Sequence, residues 1–475
     1  EGANLGITQF GRIEYALAGG RISADFIDNS AGVGSSDHEV NIKILLGEVI
    51  AAGDITRPQR DKLLARMTDE LADHVLMDNY RQSMALTHCE FDPKGLLDES
   101  IRFMRGLERA GGLDRSVEFL PDDETLGERR AAGFGLTRPE VAVLLAYAKM
   151  TLYDQVLDSE VPDDPFLAQD VGLYFPKPLR DKFGGFIPGH RLRREISATY
   201  ITNSLINRAG PTFINEMREK TGASPAEITK AYLITRQVFG MHVLWSRIEA
   251  LDNKIPAKTQ TAMNMDILRL TRRGTLWMLR HGRQPLDVSR AIQRYEPGIQ
   301  ELVKCLDARI SPDLKAMIAD SAEVYIAQGA PRDLAAQIAG LDAMFSGYDI
   351  VRIARGGGPR VADVARVYFT IGERFGLDWL RDSAESLNTE TEWQVMAVSA
   401  IIDDLYAQQM ALSTKVVHEA GSAAAADAVI DAWAAANDHR VTRAENIVEE
   451  LKSSAAVDLA MLAVANREIR SLLAR

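Results

Sequence analysis

The feature that most constrains this chain is an apolar period of three to four residues that persists from about residue 37 to the end. Val141, Leu144, Leu145, Ala148 and Leu152 fall on one helix face, as do Ile447, Leu451, Ala455, Leu459 and Leu462. Punctuation supports the period. Thr56-Arg-Pro-Gln59, Thr137-Arg-Pro-Glu140 and Ser224-Pro-Ala-Glu227 have the capping-box form, in which the hydroxyl takes an early backbone N–H and the Gln or Glu reaches back. Gly53, Gly111, Gly210, Gly222, Gly240 and Gly376 stand where left-handed residues close helices. The pattern predicts helices over 37–52, 57–85, 93–110, 138–158, 190–208, 212–221, 225–239, 257–281, 286–308, 312–328, 360–375, 390–418 and 443–472. No fixed repeat length emerges, which argues against a solenoid.

Two regions break the pattern. Residues 1–40 are glycine-rich, at 2, 6, 11, 19, 20, 32 and 34, and contain short apolar runs such as Ile22-Ser-Ala-Asp-Phe-Ile27, which suggest α/β packing. Residues 158–189 hold prolines 162, 165, 176, 178 and 188 and read as a long connection; Gly356-Gly357-Gly358-Pro359 is a second break. The expected organisation is therefore residues 1–40, a helical segment 41–160, and a helical domain 161–475 with a possible break at 356–359.

Composition narrows the function. Of 475 residues, 55 are basic and 67 acidic, a net charge of −12, which disfavours nucleic-acid partners because phosphate contacts dominate that affinity. The two cysteines, Cys89 and Cys305, cannot form a disulfide framework and suit a reducing, cytoplasmic setting. Apolar runs such as 141–148 are too short to span a membrane. The opening Glu1-Gly2-Ala3-Asn4, without methionine or a signal stretch, reads as part of something longer. HExxH, GxSxG and GxxxxGK[ST] are all missing, Gly133-Phe-Gly135 lacks the rest of a dinucleotide fingerprint, and no metal-ligand or catalytic set stands out.

The amino-terminal segments Gly2-Ala3-Asn4 and Asn29-Ser-Ala-Gly-Val33-Gly-Ser-Ser36-Asp-His-Glu39 resemble two motifs of the glutamate dehydrogenase family. Departures are Ser30 and Ala31, and Asp37-His38 where aromatics are usual. Segments 135–149, 174–178 with 190–195, and 202–208 extend the resemblance to the large NAD-dependent glutamate dehydrogenases of bacteria, over essentially the whole chain. The resemblance implies a mainly α fold, with a multi-helix carboxy-terminal region after a short α/β remnant of a Rossmann-type coenzyme domain. It implies NAD as cofactor, L-glutamate and 2-oxoglutarate as substrates, and a homo-oligomer formed through the parent chain. It assigns Asn4, Asn29 and Gly32 to the coenzyme, and Val33 and Ser36 to the substrate. The family's catalytic lysine, carboxylate and phosphate-binding glycine loop would lie upstream, so the isolated chain is expected to be inactive. A non-catalytic helical assembly or regulatory module is the alternative.

The residues themselves allow plainer accounts. Amides beside glycines can meet a nicotinamide carboxamide closely. Ser36 with Glu39 also reads as a capping box, and a substrate carboxylate at the same helix start is compatible with that. His38 reads as a surface or core-edge imidazole, and His190 with Arg191, Arg193 and Arg194 as a solvated helix start paired with local acids. Thr202, Asn203, Ser204 and Asn207 read as buried polar groups bonded between helices.

Overall fold

The computed structural model describes residues 6–357, 359–389, 392–420 and 426–473. Among them the protein is mainly helical and contains no strand. It divides into two compact units, residues 1–292 and 293–475.

The first unit opens with α1 (Gln9–Leu17), α2 (Asp25–Asp28), α3 (Ser30–Ala51), α4 (Arg57–Arg66), α5 (Thr68–Phe91), α6 (Pro93–Arg109), α7 (Asp123–Ala132) and α8 (Arg138–Leu157). It continues with α9 (Pro165–Tyr174), α10 (Lys177–Phe183), α11 (Arg193–Ala209), α12 (Phe213–Thr221), α13 (Pro225–Val238), α14 (Met241–Glu249) and α15 (Ala257–His281). Three predicted capping boxes form, at Thr56, Thr137 and Ser224. At Thr137 the carboxylate of Glu140 accepts from the backbone N at 2.6 Å and from the hydroxyl at 2.8 Å. The predicted apolar face of α8 is buried throughout.

Several expectations are corrected. The run 22–27 forms no strand: residues 20–24 have no regular secondary structure, and α2 follows. Its backbone is held by side chains instead, Arg12 donating to the Ser23 carbonyl at 2.8 Å, while Arg138 donates to the Ser23 hydroxyl at 2.9 Å. A strand needs a partner strand to pair its backbone groups, and no described segment supplies one. The proline-rich 158–189 stretch is mostly short helices. Pro162, Pro165 and Pro178 occupy first-turn positions, where the missing N–H has no intrahelical partner to lose.

The core beside α3 joins Ile42, Leu45, Leu46 and Val49 to Phe175 just after α9 and to Leu179, Phe183 and Ile196 of α10 and α11. α5 lies along the other side of α3, with a methyl of Val75 3.6 Å from where a Cβ on Gly34 would stand. Together these contacts fix α3 between α5 and the α9–α11 segment.

The division falls within α16 (Val288–Cys305); the second unit continues with α17 (Pro312–Ile326), α18 (Arg332–Ala339), α19 (Leu341–Phe345), α20 (Gly347–Gly357) and α21 (Val361–Arg374). It ends with α22 (Leu377–Glu385), α23 (Glu392–Ala420), α24 (Ala426–Ala436), α25 (Asp438–Lys452) and α26 (Leu459–Ser471). Its core gathers Phe375, Leu380, Leu412, Trp433 and Ile469. Buried Arg381 lies 4.2 Å above the Tyr406 ring and donates to Gln409 at 2.8 Å. The predicted 443–472 helix is two helices: Asp458 caps α26 by accepting from Met461 N at 2.8 Å, and exposed Ala455 lies between them.

Candidate functional site at the start of the third helix

Asn79 of α5 determines where α3 begins. Its amide donates to the Ile27 carbonyl and to the Ser30 hydroxyl, both at 2.8 Å, tying the end of α2 to the first residue of α3. The helix therefore starts six residues before Ser36, and the Ser36–Glu39 capping box does not form. Ser36 lies exposed in the second turn without a hydrogen bond among the described residues, and Glu39 pairs with Lys43 one turn further on.

The exposed turn carries most of the residues expected to face ligands. Val33 is 73% exposed, and Gly32 is also open to solvent. Asn29 precedes the helix, and its side chain makes no capping hydrogen bond. A Cβ on Gly32 would stand 3.0 Å from the Asn29 Oδ1, so glycine keeps this face free beside an unengaged amide. Asn4, with Gly2 and Ala3, lies outside the described residues.

Behind this turn is a cavity of about 350 Å³, open on one side. Ser30, Val33, Gly34 and Asp37 form its α3 wall, and Asp78, Arg81 and Gln82 of α5 adjoin them. Asn203, Ser204, Asn207 and Arg208 of α11, Arg236 of α13 and His242 and Trp245 of α14 are among the rest of the lining. Arg208 is ion-paired with Glu249 and its guanidinium lies 4.7 Å from the Trp245 ring centre. Arg236 pairs with Asp170 at 2.6 Å and donates to Ser204 Oγ at 3.1 Å. The Asn207 Oδ1 and Thr202 Oγ1 atoms are buried without partners, so interhelical hydrogen bonding does not account for the whole polar stripe of α11.

His38 points into the protein, and neighbouring Asp37, exposed at the helix surface, reaches Tyr174. Asp37 accepts from the Tyr174 hydroxyl at 2.7 Å, and Asn41 donates to that hydroxyl at 2.8 Å. His38 is buried and stacks on Tyr174, with ring centres 4.2 Å apart. Burial lowers the His38 pKa against the opposing pull of Asp37 and Asp78, with nearby His74 lowering it further. The same burial, reinforced by Asp37, raises the Tyr174 pKa. His190 is also buried, which corrects the solvated reading: its Nε2 lies 3.0 Å from the Asn41 carbonyl, and its Nδ1 accepts from Leu192 N at 3.0 Å. Arg193 and Arg194 do pair with a local acid, Asp163. Lys149 of α8 is the most displaced base here; dehydration pushes its pKa down to about 7, although Asp78 draws it upward.

A second cavity, of about 170 Å³, is lined by His88, Cys89, Glu99 and Arg272, and shares Asn207 and Arg208 with the first. Burial, with Arg208 adding to the effect, holds the His88 pKa down at about 4, and burial lifts the Cys89 thiol to about 12. A thiol so strongly protonated is not a nucleophile. Among the described residues, no cluster of three or more His, Cys, Asp or Glu could hold a metal.

A model of the family described as "Glutamate dehydrogenase, C-terminal" matches residues 133–471. The chain belongs to this glutamate dehydrogenase family. A model described as "Bacterial NAD-glutamate dehydrogenase, catalytic domain" matches residues 1–89, which include the exposed turn of α3. Over 472 residues the chain is 40% identical to the NAD-specific glutamate dehydrogenase of Pseudomonas aeruginosa, 37% to that of Halomonas elongata and 35% to that of Mycobacterium tuberculosis. These alignments cover 99% of this chain and 29% of each relative. It resembles the carboxy-terminal portion of the large bacterial enzymes. No described helix is long and apolar enough to cross a membrane.

Sequence reasoning missed Asp78, Arg81, Arg208 and Arg236. The visible signal was the Asp78–Arg81 spacing, which places opposite charges on one helix face beside apolar Val75.

Proposed function

We propose that this chain forms part of a glutamate dehydrogenase that oxidises L-glutamate with NAD and water to 2-oxoglutarate, ammonium, NADH and a proton. In this reading residues 1–40 end a Rossmann-type coenzyme domain and present their last turn to the substrate cleft. The carrying observation is the exposed start of α3, where Asn29, Gly32, Val33 and Ser36 share a short accessible segment whose polar groups are not consumed by the fold.

The unengaged Asn29 amide beside bare Gly32 suits the carboxamide of a nicotinamide, with Asn4 as its companion. NAD supplies the hydride acceptor when bound. Val33 packs against the aliphatic part of glutamate, and the free Ser36 hydroxyl donates to a substrate carboxylate. These residues bind and orient; proton transfer and carbonyl polarisation belong to parts of the parent enzyme outside this sequence.

Ser36→Ala in the full enzyme tests the reading. It should raise KM for glutamate about tenfold, the scale of one hydrogen bond to a charged group, with a smaller change in kcat. An unchanged KM removes Ser36 from the substrate site.

The alternative, a helical assembly module, draws on a different observation: on α23, Trp393 is 79% exposed and Met396 62% exposed. Size-exclusion chromatography with light scattering tests it, since an assembly role requires a stable oligomer and a monomeric parent enzyme contradicts it.

A further inference from the structure

In the second cavity the charged residues are matched by the fold, and two neutral polar groups are not. Arg272 pairs with Glu99 at 3.5 Å and with Glu216 at 3.4 Å, and Arg208 pairs with Glu249. Glu99 also accepts from the Thr212 hydroxyl at 2.7 Å, and Asp92 accepts from Gly95 N at 3.0 Å. His88 and Asn207 both line this space and are 9% and 3% exposed. His88 Nε2 and Asn207 Oδ1 are buried without a hydrogen-bond partner among the described residues. Leaving such atoms unpaired is costly, and a ligand that pairs them recovers the cost.

The surrounding residues narrow the chemistry of that ligand. An anion would meet Asp92 and Glu99, and a cation would meet Arg208 and Arg272, so neither charge is favoured in a partly desolvated site. Burial keeps the His88 imidazole neutral, with its pKa down at about 4. Ala85, Leu96, Met265 and Leu268 give the lining an apolar side. The volume, about 170 Å³, is close to the roughly 150 Å³ that accommodates benzene in a protein core. The fitting molecule is small, uncharged, polar at one end and apolar at the other. A hydroxyl carries a single proton, and giving it to Asn207 Oδ1 leaves none for an imidazole nitrogen that accepts. A primary carboxamide carries two protons and an oxygen, so it pairs Asn207 Oδ1 and serves His88 Nε2 in either tautomer.

We propose that this second cavity binds a small neutral primary carboxamide. One amide proton goes to Asn207 Oδ1. His88 Nε2 takes the other, or donates to the amide oxygen, and the hydrocarbon end lies against Leu96, Met265 and Leu268. The proposal goes beyond the dehydrogenase reaction and uses none of the residues assigned to NAD or glutamate.

Titration of the full 475-residue chain with propionamide, followed by nuclear magnetic resonance of the ligand, tests it. Propionate, 1-propanol and butanone, of similar size, are the charged, single-donor and donor-free comparisons. Propionamide should bind saturably with a dissociation constant of about 1 mM, a scale open to so small a molecule, and roughly fivefold or more tighter than each comparison. His88→Phe keeps a ring and removes its nitrogens. It should weaken propionamide binding by about fivefold to tenfold, the scale of one hydrogen bond, without lowering the melting temperature, since the fold loses no hydrogen bond. Gln82→Ala, which alters the lining of the first cavity and not of the second, should leave binding unchanged. The proposal is overturned if propionamide does not saturate, as when water alone fills the space, or if any comparison binds as tightly. Binding that survives His88→Phe at full strength, or is lost in Gln82→Ala, also overturns it. If His88→Phe fails to fold, the ranking of the compounds on the unmodified chain decides the matter.

Discussion

Replacing Lys149 with methionine should stabilise the protein at neutral pH. Lys149 is half-buried on α8, makes no hydrogen bond to a described residue, and feels Asp78 only through space. Its pKa of about 7 in the fold compares with about 10.4 for an unfolded lysine. A base whose folded pKa is depressed contributes its full stability above the unfolded value, and loses it as pH falls toward the folded value. Between pH 7 and 10.4 the unfolded chain holds more protons, so stability rises with pH. Linkage with these two values gives a penalty of about 4 kcal/mol at pH 7 and about 1 kcal/mol at pH 9.5. Part of the side chain still touches water, which makes about 2 kcal/mol the working figure at pH 7. Lys149→Met removes the charge while keeping the chain volume. Thermal melts at pH 7 should show a gain of roughly 4 °C, from about 2 °C per kcal/mol for a unit of this size, and at pH 9.5 a clearly smaller gain. Equal gains at both pH values, or a loss at pH 7, would refute the argument that a dehydrated ammonium is the cause.

Further outcomes follow from other parts of the first unit. Glu140 is 1% exposed and accepts from Arg129 at 2.7 and 3.0 Å, so Glu140→Gln should cost about 3–5 kcal/mol by stranding a buried guanidinium. Denaturant unfolding measures this, and the double variant Arg129→Leu with Glu140→Leu should recover much of the loss. His190→Phe removes the imidazole contacts to Asn41 O and Leu192 N and should lower the melting temperature by several degrees, corresponding to about 1–3 kcal/mol for the unpaired backbone groups. The purified chain alone should show no glutamate-dependent formation of NADH by absorbance at the nicotinamide band; turnover that survives rigorous purification would contradict the division of labour proposed here.

Local signals in the sequence were legible wherever they were also energetically decisive. The Thr137–Glu140 box appears as expected because its partners are three residues apart and need no distant element. Prolines 162, 165 and 178 were misleading because proline forbids a helix interior but fits its first turn. Ser36 was misleading for a different reason: Asn79, more than forty residues away, fixes the start of α3 upstream and displaces the apparent cap into the helix. His190 was read as solvated because its neighbours are arginines, yet its own ring bonds to α3, a contact that no local pattern encodes. The motif around Asn29 could be read residue by residue. The cavity behind it could not, because α3, α5, α11, α13 and α14 must come together before Asp78 and Arg81 share an enclosure.

Asn207 and Arg208 belong to the linings of both cavities. They act as a party wall, and Arg208 is the stiffer half, clasped by Glu249 and laid over Trp245. Shortening this one side chain would enlarge two chambers of different character, one lined by Asp78, Arg81 and Arg236, the other by a neutral imidazole and a strongly protonated thiol. The size and charge of both spaces thus depend in part on a single guanidinium, so a substitution at position 208 acts as an architectural change to two rooms at once.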